Sequence, residues 1–205
     1  MESLGETREA AARGADRVEL CIDLARDGCT PPLSLVSACC TVGLPVVAMV
    51  RPRPGQFSYR RAEIAAMCDS VRDLVAAGAS GVATGALAGS RIDLAATSRL
   101  VAAAGAVPVT FHRAFDALGD LDAGLDALIA HGVRRVLTAG GAPSAMDGLR
   151  TLRRLVDRAA GRIEIVAAGG VRPHTVARIL DETGAPAVHA RWTGWRNAGA
   201  TRPAS

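Results

Sequence analysis

The sequence predicts an α/β protein of the TIM type, a (β/α) barrel with parallel strands. Two observations support this prediction. Short apolar runs rich in β-branched residues alternate along the chain with stretches of helical periodicity, and such alternation is typical of parallel sheets. The joints between helix and strand repeatedly carry a glycine, as in ARGADRV and AAGASGV. Glycine readily adopts the left-handed conformation that ends a helix.

The predicted elements follow one another in a regular order. The chain opens in a helix over residues 4–13, and later helices are clearest over residues 60–77 and 143–160. Several strands are apolar on both faces, as strands covered by helices should be. About seven strands are predicted, and they are RVELCI from Arg17, PVVAMV from Pro45, GVAT from Gly81, VPVTF from Val107, RRVLT from Arg134, IEIVAA from Ile163 and PAVHA from Pro186.

The predicted barrel is incomplete at both ends. A barrel of this type closes with eight strands, and no strand precedes the first helix here. The segment after His189, ARWTGWRNAGATRPAS, has no apolar period for a closing helix. We therefore expect one domain over residues 1–205, with its core at about 14–189, lacking the first strand and the last helix. An open doubly wound sheet is the alternative, but no GxGxxG motif follows the first strand.

Composition excludes several kinds of chemistry. All 24 basic residues are arginine, so neither a Schiff-base lysine nor a P-loop lysine is available. The arginines are scattered and not interleaved with aromatic residues, which argues against nucleic-acid binding. No signal peptide or membrane span is recognisable, and we expect a cytoplasmic protein. Its five cysteines form no CxxC pair and are predicted to be free thiols.

Polar residues and glycines follow nearly every predicted strand. In a parallel barrel the carboxyl ends of the strands form the working face, so we expect these residues to share a pocket. The stretch VTFHRAFD, residues 109–116, is the densest of these ends. The residues at the strand ends are Glu19, Cys21, Arg51, Arg53, Thr84, His112, Arg113, Asp116, Thr138, Gly140, Gly141, Gly169, Gly170, Arg172 and His189.

Three of these residues are candidates for acid–base catalysis, namely Glu19, His112 and Asp116. Each also has a structural alternative. Glu19 would pair with Arg51 or Arg53, because a lone buried carboxylate is costly. His112 would be a hydrogen-bonded barrel histidine, and Asp116 would cap the following helix.

Another group predicts a binding site for an anionic small molecule. Backbone N–H groups at a helix start attract anions, and arginine donates in a fork that suits phosphate or carboxylate. Glu63, in contrast, is expected on a solvated helix face. The predicted ligand-binding residues are Arg51, Arg53, Arg113, Thr138, Gly140, Gly169 and Gly170.

A metal site is a further hypothesis. Cys21 offers a thiolate, a soft ligand that suits Cu(I), and its partner would be Glu19, His112 or His189. Cys29 follows closely in a loop and offers a second thiol. A second ligand supplied by another copy of the chain is also open, so a homo-oligomer is expected with this hypothesis.

At these residues the sequence resembles the CutC family, the proteins named for copper homeostasis. The motifs GADRVELC, TPPLSLV, VRPRPGQFSY, VTFHRAFD, RVLTAGG and VAAGGVRP carry the resemblance over about residues 14–189. It implies a cytoplasmic TIM barrel, often oligomeric, whose pocket is lined by Glu19, Arg51, Arg53, His112, Arg113 and Asp116. It also implies that Cys21 is the cysteine linked to copper. Family members carry an earlier strand with a Glu and often a Cys, which is missing here.

Three functions follow as hypotheses. The first is a CutC-like copper homeostasis protein that binds copper without catalysis. The second is an enzyme of the isomerase or lyase type that acts on a phosphorylated or carboxylated substrate, with Glu19 or His112 as acid or base. The third is an inert barrel fragment with exposed sheet edges.

Overall fold

The computed structural model describes residues 1–191, and the chain divides into two compact units. Unit 1 comprises residues 1–84 and 95–109, and unit 2 comprises residues 85–94 and the chain from Thr110 onward. Each unit repeats a strand-then-helix pattern with parallel strands. This confirms the predicted α/β class with parallel strands. The prediction of a single domain stays a prediction.

Unit 1 is a three-stranded parallel arrangement in the order β1–β2–β3. Its strands are β1 (Val18–Leu20), β2 (Val46–Met49) and β3 (Gly81–Thr84). Its helices are α1 (Leu4–Ala12), α2 (Leu33–Cys40), α3 (Arg61–Ala76) and α4 (Leu94–Ala104). The Ser3 hydroxyl caps α1 by accepting from the Glu6 N–H. The first regular element among residues 1–191 is therefore a helix, as the sequence predicts.

Strand register decides which side chains of unit 1 meet. Leu20 of β1 lies opposite Ala48 of β2, and Met49 lies opposite Ala83 of β3. All four residues of β2 and of β3 are buried, which explains their continuous apolar sequences. The pairing of β1 with β2 ends at Leu20 and Ala48, and the next residues along the two chain segments are Cys21 and Met49.

Unit 2 contains a short antiparallel pair and a parallel series in the order β6–β7–β8–β9. Its strands are β4 (Leu87–Ala88), β5 (Arg91–Ile92), β6 (Val109–Phe111), β7 (Arg135–Thr138), β8 (Glu164–Ala168) and β9 (Ala187–His189). A 3-10 helix, Arg113–Ala117, follows β6 directly. The helices are α5 (Leu121–Ala130), α6 (Leu149–Ala159) and α7 (Pro173–Thr183).

One helix starts later than the sequence predicts. The predicted helix over residues 143–160 begins only at Leu149, and the residues before it form turns. Gly148 marks the boundary, because a Cβ there would lie 1.8 Å from the carbonyl oxygen of Ala139. The helix therefore begins where the chain touches the backbone that follows β7. The expectation of no closing helix after His189 concerns residues 192–205, which lie outside the described residues.

No helix within residues 1–191 is both long and apolar enough to cross a membrane.

Candidate functional site

The predicted site residues fall into two groups, one in each unit. Unit 1 holds Glu19, Cys21, Arg51 and Arg53. Unit 2 holds His112, Arg113, Asp116, Thr138, Gly140, Gly169 and Gly170.

Two sulfur-bearing side chains lie together in unit 1. Cys21 follows β1 and is 2% exposed, and it belongs to a buried cluster with Val47, Met49 and Ala83. A Cβ placed on Gly28 would lie 3.2 Å from the Cys21 Sγ and 3.9 Å from the Met49 Cε. The loop at Gly28 therefore covers a thiol and a thioether that lie in one buried cluster at the ends of neighbouring strands.

The environment of Cys21 favours the neutral thiol. Burial raises the pKa of Cys21 above its ordinary value of 9.0, because a charged thiolate loses solvation away from water. The ammonium group of Met1 opposes this pKa shift and the charge of Glu19 adds to it. Glu19 shares a strand face with Cys21, since residues two apart in a strand point the same way.

The second thiol of the proposed metal pair points elsewhere. Ile22 and Cys29 form an antiparallel bridge and exchange two backbone hydrogen bonds of 3.0 and 2.7 Å. Paired residues in such a bridge share one face, and Cys21 lies on the other because it precedes Ile22. This alternation favours opposite faces for Cys29 and Cys21, and the role of Cys29 as a second metal ligand stays a prediction.

Arg51 is a buried cation that forms hydrogen bonds to the backbone of two loops. Its side chain is 3% exposed, and its amino groups donate to the backbone carbonyls of Arg26, Gly28 and Gly55 at 3.0–3.2 Å. The Phe57 ring lies 5.1 Å from its guanidinium carbon. Through the bond to Gly28, Arg51 helps to hold the loop that covers Cys21.

Arg53 pairs with a carboxylate that sequence analysis assigned to a solvated surface. Glu63 accepts from the Arg53 Nε at 2.6 Å, and its side chain is only 15% exposed. The expectation of a solvated Glu63 is therefore wrong. Hydrogen bonds from Arg53 and from the Arg60 backbone lower the pKa of Glu63 to about 2. The expected pairing of Glu19 with Arg53 is replaced by this bond, because Glu63 sits in the first turn of α3, facing the loop.

Asp116 organises the loop after β7 in unit 2. Its carboxylate accepts from the Thr138 hydroxyl at 2.5 Å and from the N–H groups of Ala139 and Gly141 at 3.0–3.1 Å. The Arg113 Nε donates to it as well, at 2.8 Å. The Asp116 carboxylate thus occupies N–H groups of the glycine turn that follows β7. Asp116 does not cap α5, because Asp120 does so by accepting from Ala123.

His112 is held by the backbone that follows it. The ring is 5% exposed, and its Nδ1 accepts from the Ala114 N–H at 3.2 Å. A neutral ring in this arrangement carries its proton on Nε2. Gly85 lies against the ring, since a Cβ there would come within 2.7 Å of two ring atoms. His112 thus fits the alternative of a hydrogen-bonded structural histidine, and its catalytic role stays a prediction.

Arg113 keeps its outer amino groups unbonded among the described residues. Its side chain is 44% exposed, and only its Nε is used, in the bond to Asp116. A Cβ on Gly169, which has a φ of +96°, would lie 3.0 Å from Nη1. The Thr138 hydroxyl donates to Asp116 and accepts from the Gly140 N–H. The roles of Arg113, Gly169 and Gly170 in binding a ligand stay predictions.

Sequence reasoning missed Met49, Tyr59 and Glu63. No cluster of three or more His, Cys, Asp or Glu side chains suited to a metal exists among residues 1–191. Met49 gave one usable signal: in VVAMV it stands at the same alternating position as Cys21 does in VELC. Glu63 gave another, because it is the third helical residue after Arg60, a position from which a side chain reaches back to the helix start.

Solved structures define the class of this protein. A crystal structure of a copper homeostasis protein CutC from Streptococcus agalactiae matches with a TM-score of 0.86 at 30% identity, covering 92% of this chain and 94% of the other. A deoxyribose phosphate aldolase from Aeropyrum pernix matches in fold alone, with a TM-score of 0.67 at 17% identity over 91% of this chain and 78% of its own. The chain is thus a parallel α/β protein of the TIM-barrel type, as predicted.

Sequence relatives narrow the class further. A CutC family protein from Agrobacterium fabrum is 43% identical over 184 residues, which cover 89% of this chain and 73% of the relative. The human copper homeostasis protein cutC homolog is 38% identical over 201 residues, covering 97% and 74%. The model of the CutC family matches residues 1–194. The chain belongs to the CutC family.

Proposed function

We propose that this protein binds Cu(I) as its cargo in copper homeostasis, and that Cys21 and Met49 hold the ion. The observation that carries the proposal is that both side chains lie in one buried cluster at the ends of neighbouring strands, close to Gly28. Thiolate and thioether are soft ligands, and soft ligands select Cu(I) over harder cations. The relatives named for copper homeostasis support the same assignment.

The surroundings suit a monovalent soft ion. Val47 and Ala83 complete the buried cluster and offer no hard oxygen ligand from their side chains. Glu19, on the same strand face, supplies a negative charge near the sulfur without being needed as a ligand. Cys21 must lose its proton when the metal binds, because only the thiolate is a good ligand.

The free thiols favour a reducing cellular compartment. All five cysteines are free, which is typical of a reducing compartment. We therefore place the protein in the cytoplasm, where a thiol and a thioether stay reduced and Cu(I) is the stable form of the metal.

The test is an anaerobic Cu(I) titration against a chromogenic chelator, with oligomer size measured alongside. We expect one Cu(I) per chain in the wild type and no tight binding in Cys21→Ser. Met49→Leu keeps the volume and removes the sulfur, and we expect it to weaken binding by about tenfold or more, or about 1.4 kcal/mol. Cys68→Ala, a buried thiol on α3, is the matched control and should bind like the wild type.

The same titration has a pH dependence. Burial raises the pKa of Cys21 above 9.0, so binding displaces a proton at neutral pH. We expect the apparent affinity to fall by about tenfold for each pH unit lowered. Binding that is unchanged in Cys21→Ser, or equally weakened in Cys68→Ala, would contradict the proposal.

A further inference from the structure

We propose that unit 1 carries a second site, independent of copper, that binds a small phosphate monoester. The site is formed by the arginine loop, residues 51–60, and by Glu63 in the first turn of α3. A surface cavity of about 380 Å³ lies here, lined by Arg53, Ser58, Tyr59, Arg60 and Glu63.

The first argument is a buried charge without a counterion. Arg51 is 3% exposed, and its amino groups contact only neutral carbonyl oxygens and the face of Phe57. No carboxylate within residues 1–191 forms an ion pair with it. Buried charges in proteins are nearly always paired. The loop is therefore built around a cation whose charge is not compensated by a carboxylate of residues 1–191.

The second argument is a pair of buried polar atoms without hydrogen bonds. Among the described residues, neither the Arg51 Nε nor the Tyr59 hydroxyl has a partner of good geometry. The two groups are close, because the charges of Arg51 and Arg53 and a hydrogen-bond contribution from Arg51 act on the Tyr59 hydroxyl and partly offset the rise in its pKa caused by burial. That contact does not reach good hydrogen-bond geometry. An oxygen acceptor placed between them would satisfy both groups at once. Tyr59 also lines the cavity, so it joins these buried atoms to the surface.

The third argument is the charge balance. The cations of the arginine loop are Arg51, Arg53 and Arg60. Within residues 1–191 the carboxylate paired with them is Glu63, at 2.6 Å from Arg53 and 3.3 Å from Arg60. Three cations against one anion leave an excess of two positive charges. The start of α3, a 16-residue helix, adds the positive end of its dipole.

These features favour a phosphate monoester over a carboxylate. A phosphate monoester carries about −1.5 to −2 charges at neutral pH, which matches the excess, whereas one carboxylate carries a single charge. One arginine guanidinium group can donate two parallel hydrogen bonds to two oxygens of the phosphate. The volume is at the lower end of the range of ligand cavities, about 300–1,000 Å³, so the phosphate would be attached to a small carbon skeleton.

The test is calorimetric titration with glycerol 3-phosphate and, as the carboxylate arm, glycerate, which carries a single charge, both at constant ionic strength. We expect saturable binding of glycerol 3-phosphate and weaker binding of glycerate. Tyr59→Phe removes one oxygen and should weaken phosphate binding by about tenfold. Arg60→Gln should also weaken it, whereas Arg61→Gln, an exposed neighbour outside the cavity lining, should not.

Fold stability separates a binding defect from unfolding. Without ligand, Tyr59→Phe should unfold no more easily than the wild type, because the hydroxyl it removes forms no hydrogen bond of good geometry with residues 1–191. The copper-site variant Cys21→Ser should bind glycerol 3-phosphate like the wild type. The proposal would be overturned if glycerol 3-phosphate showed no saturable binding up to about 10 mM. It would also be overturned if Arg60→Gln and Arg61→Gln weakened its binding equally.

Discussion

At the scale of single residues, Gly85 determines where the His112 ring can lie. A Cβ on Gly85 would come within 2.7 Å of both Cε1 and Nδ1 of that ring, and within 3.2 Å of Phe111. Nδ1 is also the atom that accepts from the Ala114 N–H. The absence of a side chain at Gly85 thus lets the histidine cap the 3-10 helix that begins at Arg113.

We expect Gly85→Ala to destabilise the fold by about 1–3 kcal/mol, because the added methyl group overpacks a buried contact. Urea unfolding measures this, and the His112 ring signals in NMR should shift with it. Gly5→Ala is the control, since Gly5 is exposed on α1 and a Cβ there contacts nothing closer than 3.9 Å. That substitution should be neutral or stabilising. Equal effects of the two substitutions would refute the steric explanation.

Sequence reasoning found residues at strand ends more readily than it found their partners. Arg51, Arg53 and His112 stand out because they interrupt apolar runs. Their partners depend on loop geometry, which has no periodic signal. Glu63 reads as one more polar residue of an amphipathic helix, yet its position in the first turn makes it face Arg53.

At the scale of elements, the loop after β7 and the 3-10 helix after β6 are joined through Asp116. Its carboxylate accepts from a hydroxyl, two backbone N–H groups and the Arg113 guanidinium. The two positive-φ glycines, Gly140 and Gly141, bend the loop around this carboxylate. The Asp116 carboxylate is therefore an anion that the chain itself supplies where the loop meets the 3-10 helix.

We expect Asp116→Ala to lower the thermal midpoint markedly, because several donors lose their acceptor, and each unpaired buried group costs about 1–3 kcal/mol. Acetate should partly restore the midpoint of this variant by occupying the vacated N–H groups. Sodium chloride at the same ionic strength is the control, and acetate should not raise the wild-type midpoint comparably. If acetate and chloride act alike on the variant, Asp116 is not filling an anion site.

Periodicity predicted the long elements and missed the short ones. The helix expected over residues 60–77 is α3, and the one expected over residues 4–13 is α1. The pair β4–β5 escaped because strands of two residues show no alternation. The start of α6 was misplaced because the steric requirement at Gly148 comes from Ala139, which is remote in sequence.

At the scale of the whole molecule, carboxylates paired with arginines make the stability of the fold depend on pH. Glu63 in unit 1 has its pKa lowered to about 2, against an ordinary value of 4.5, by Arg53 and Arg60. Asp126 in unit 2 has its pKa lowered by hydrogen bonding to Arg158. A carboxyl whose folded pKa is depressed stabilises the fold above its unfolded pKa, and this contribution is lost as pH falls toward the folded pKa.

We therefore expect the urea midpoint of the wild type to fall between about pH 4.5 and 2. Glu63→Gln should unfold more easily at pH 7, yet its midpoint should fall less steeply across that window, so the two curves converge in acid. Circular dichroism at a series of pH values measures both. Parallel curves for the two proteins would show that the Glu63 pairing contributes nothing to the pH dependence.

The position of Gly28 over the sulfur pair has a kinetic consequence. Cys21 is 2% exposed, and Gly28 lies so close that a Cβ there would be 3.2 Å from the sulfur. If Cys21 binds copper as proposed, the metal has to pass the loop at Gly28 to enter and to leave. A buried sulfur of this kind would exchange its cargo slowly however tight or weak the binding is. Residence time and affinity at this position then become separate properties, set by different parts of the chain.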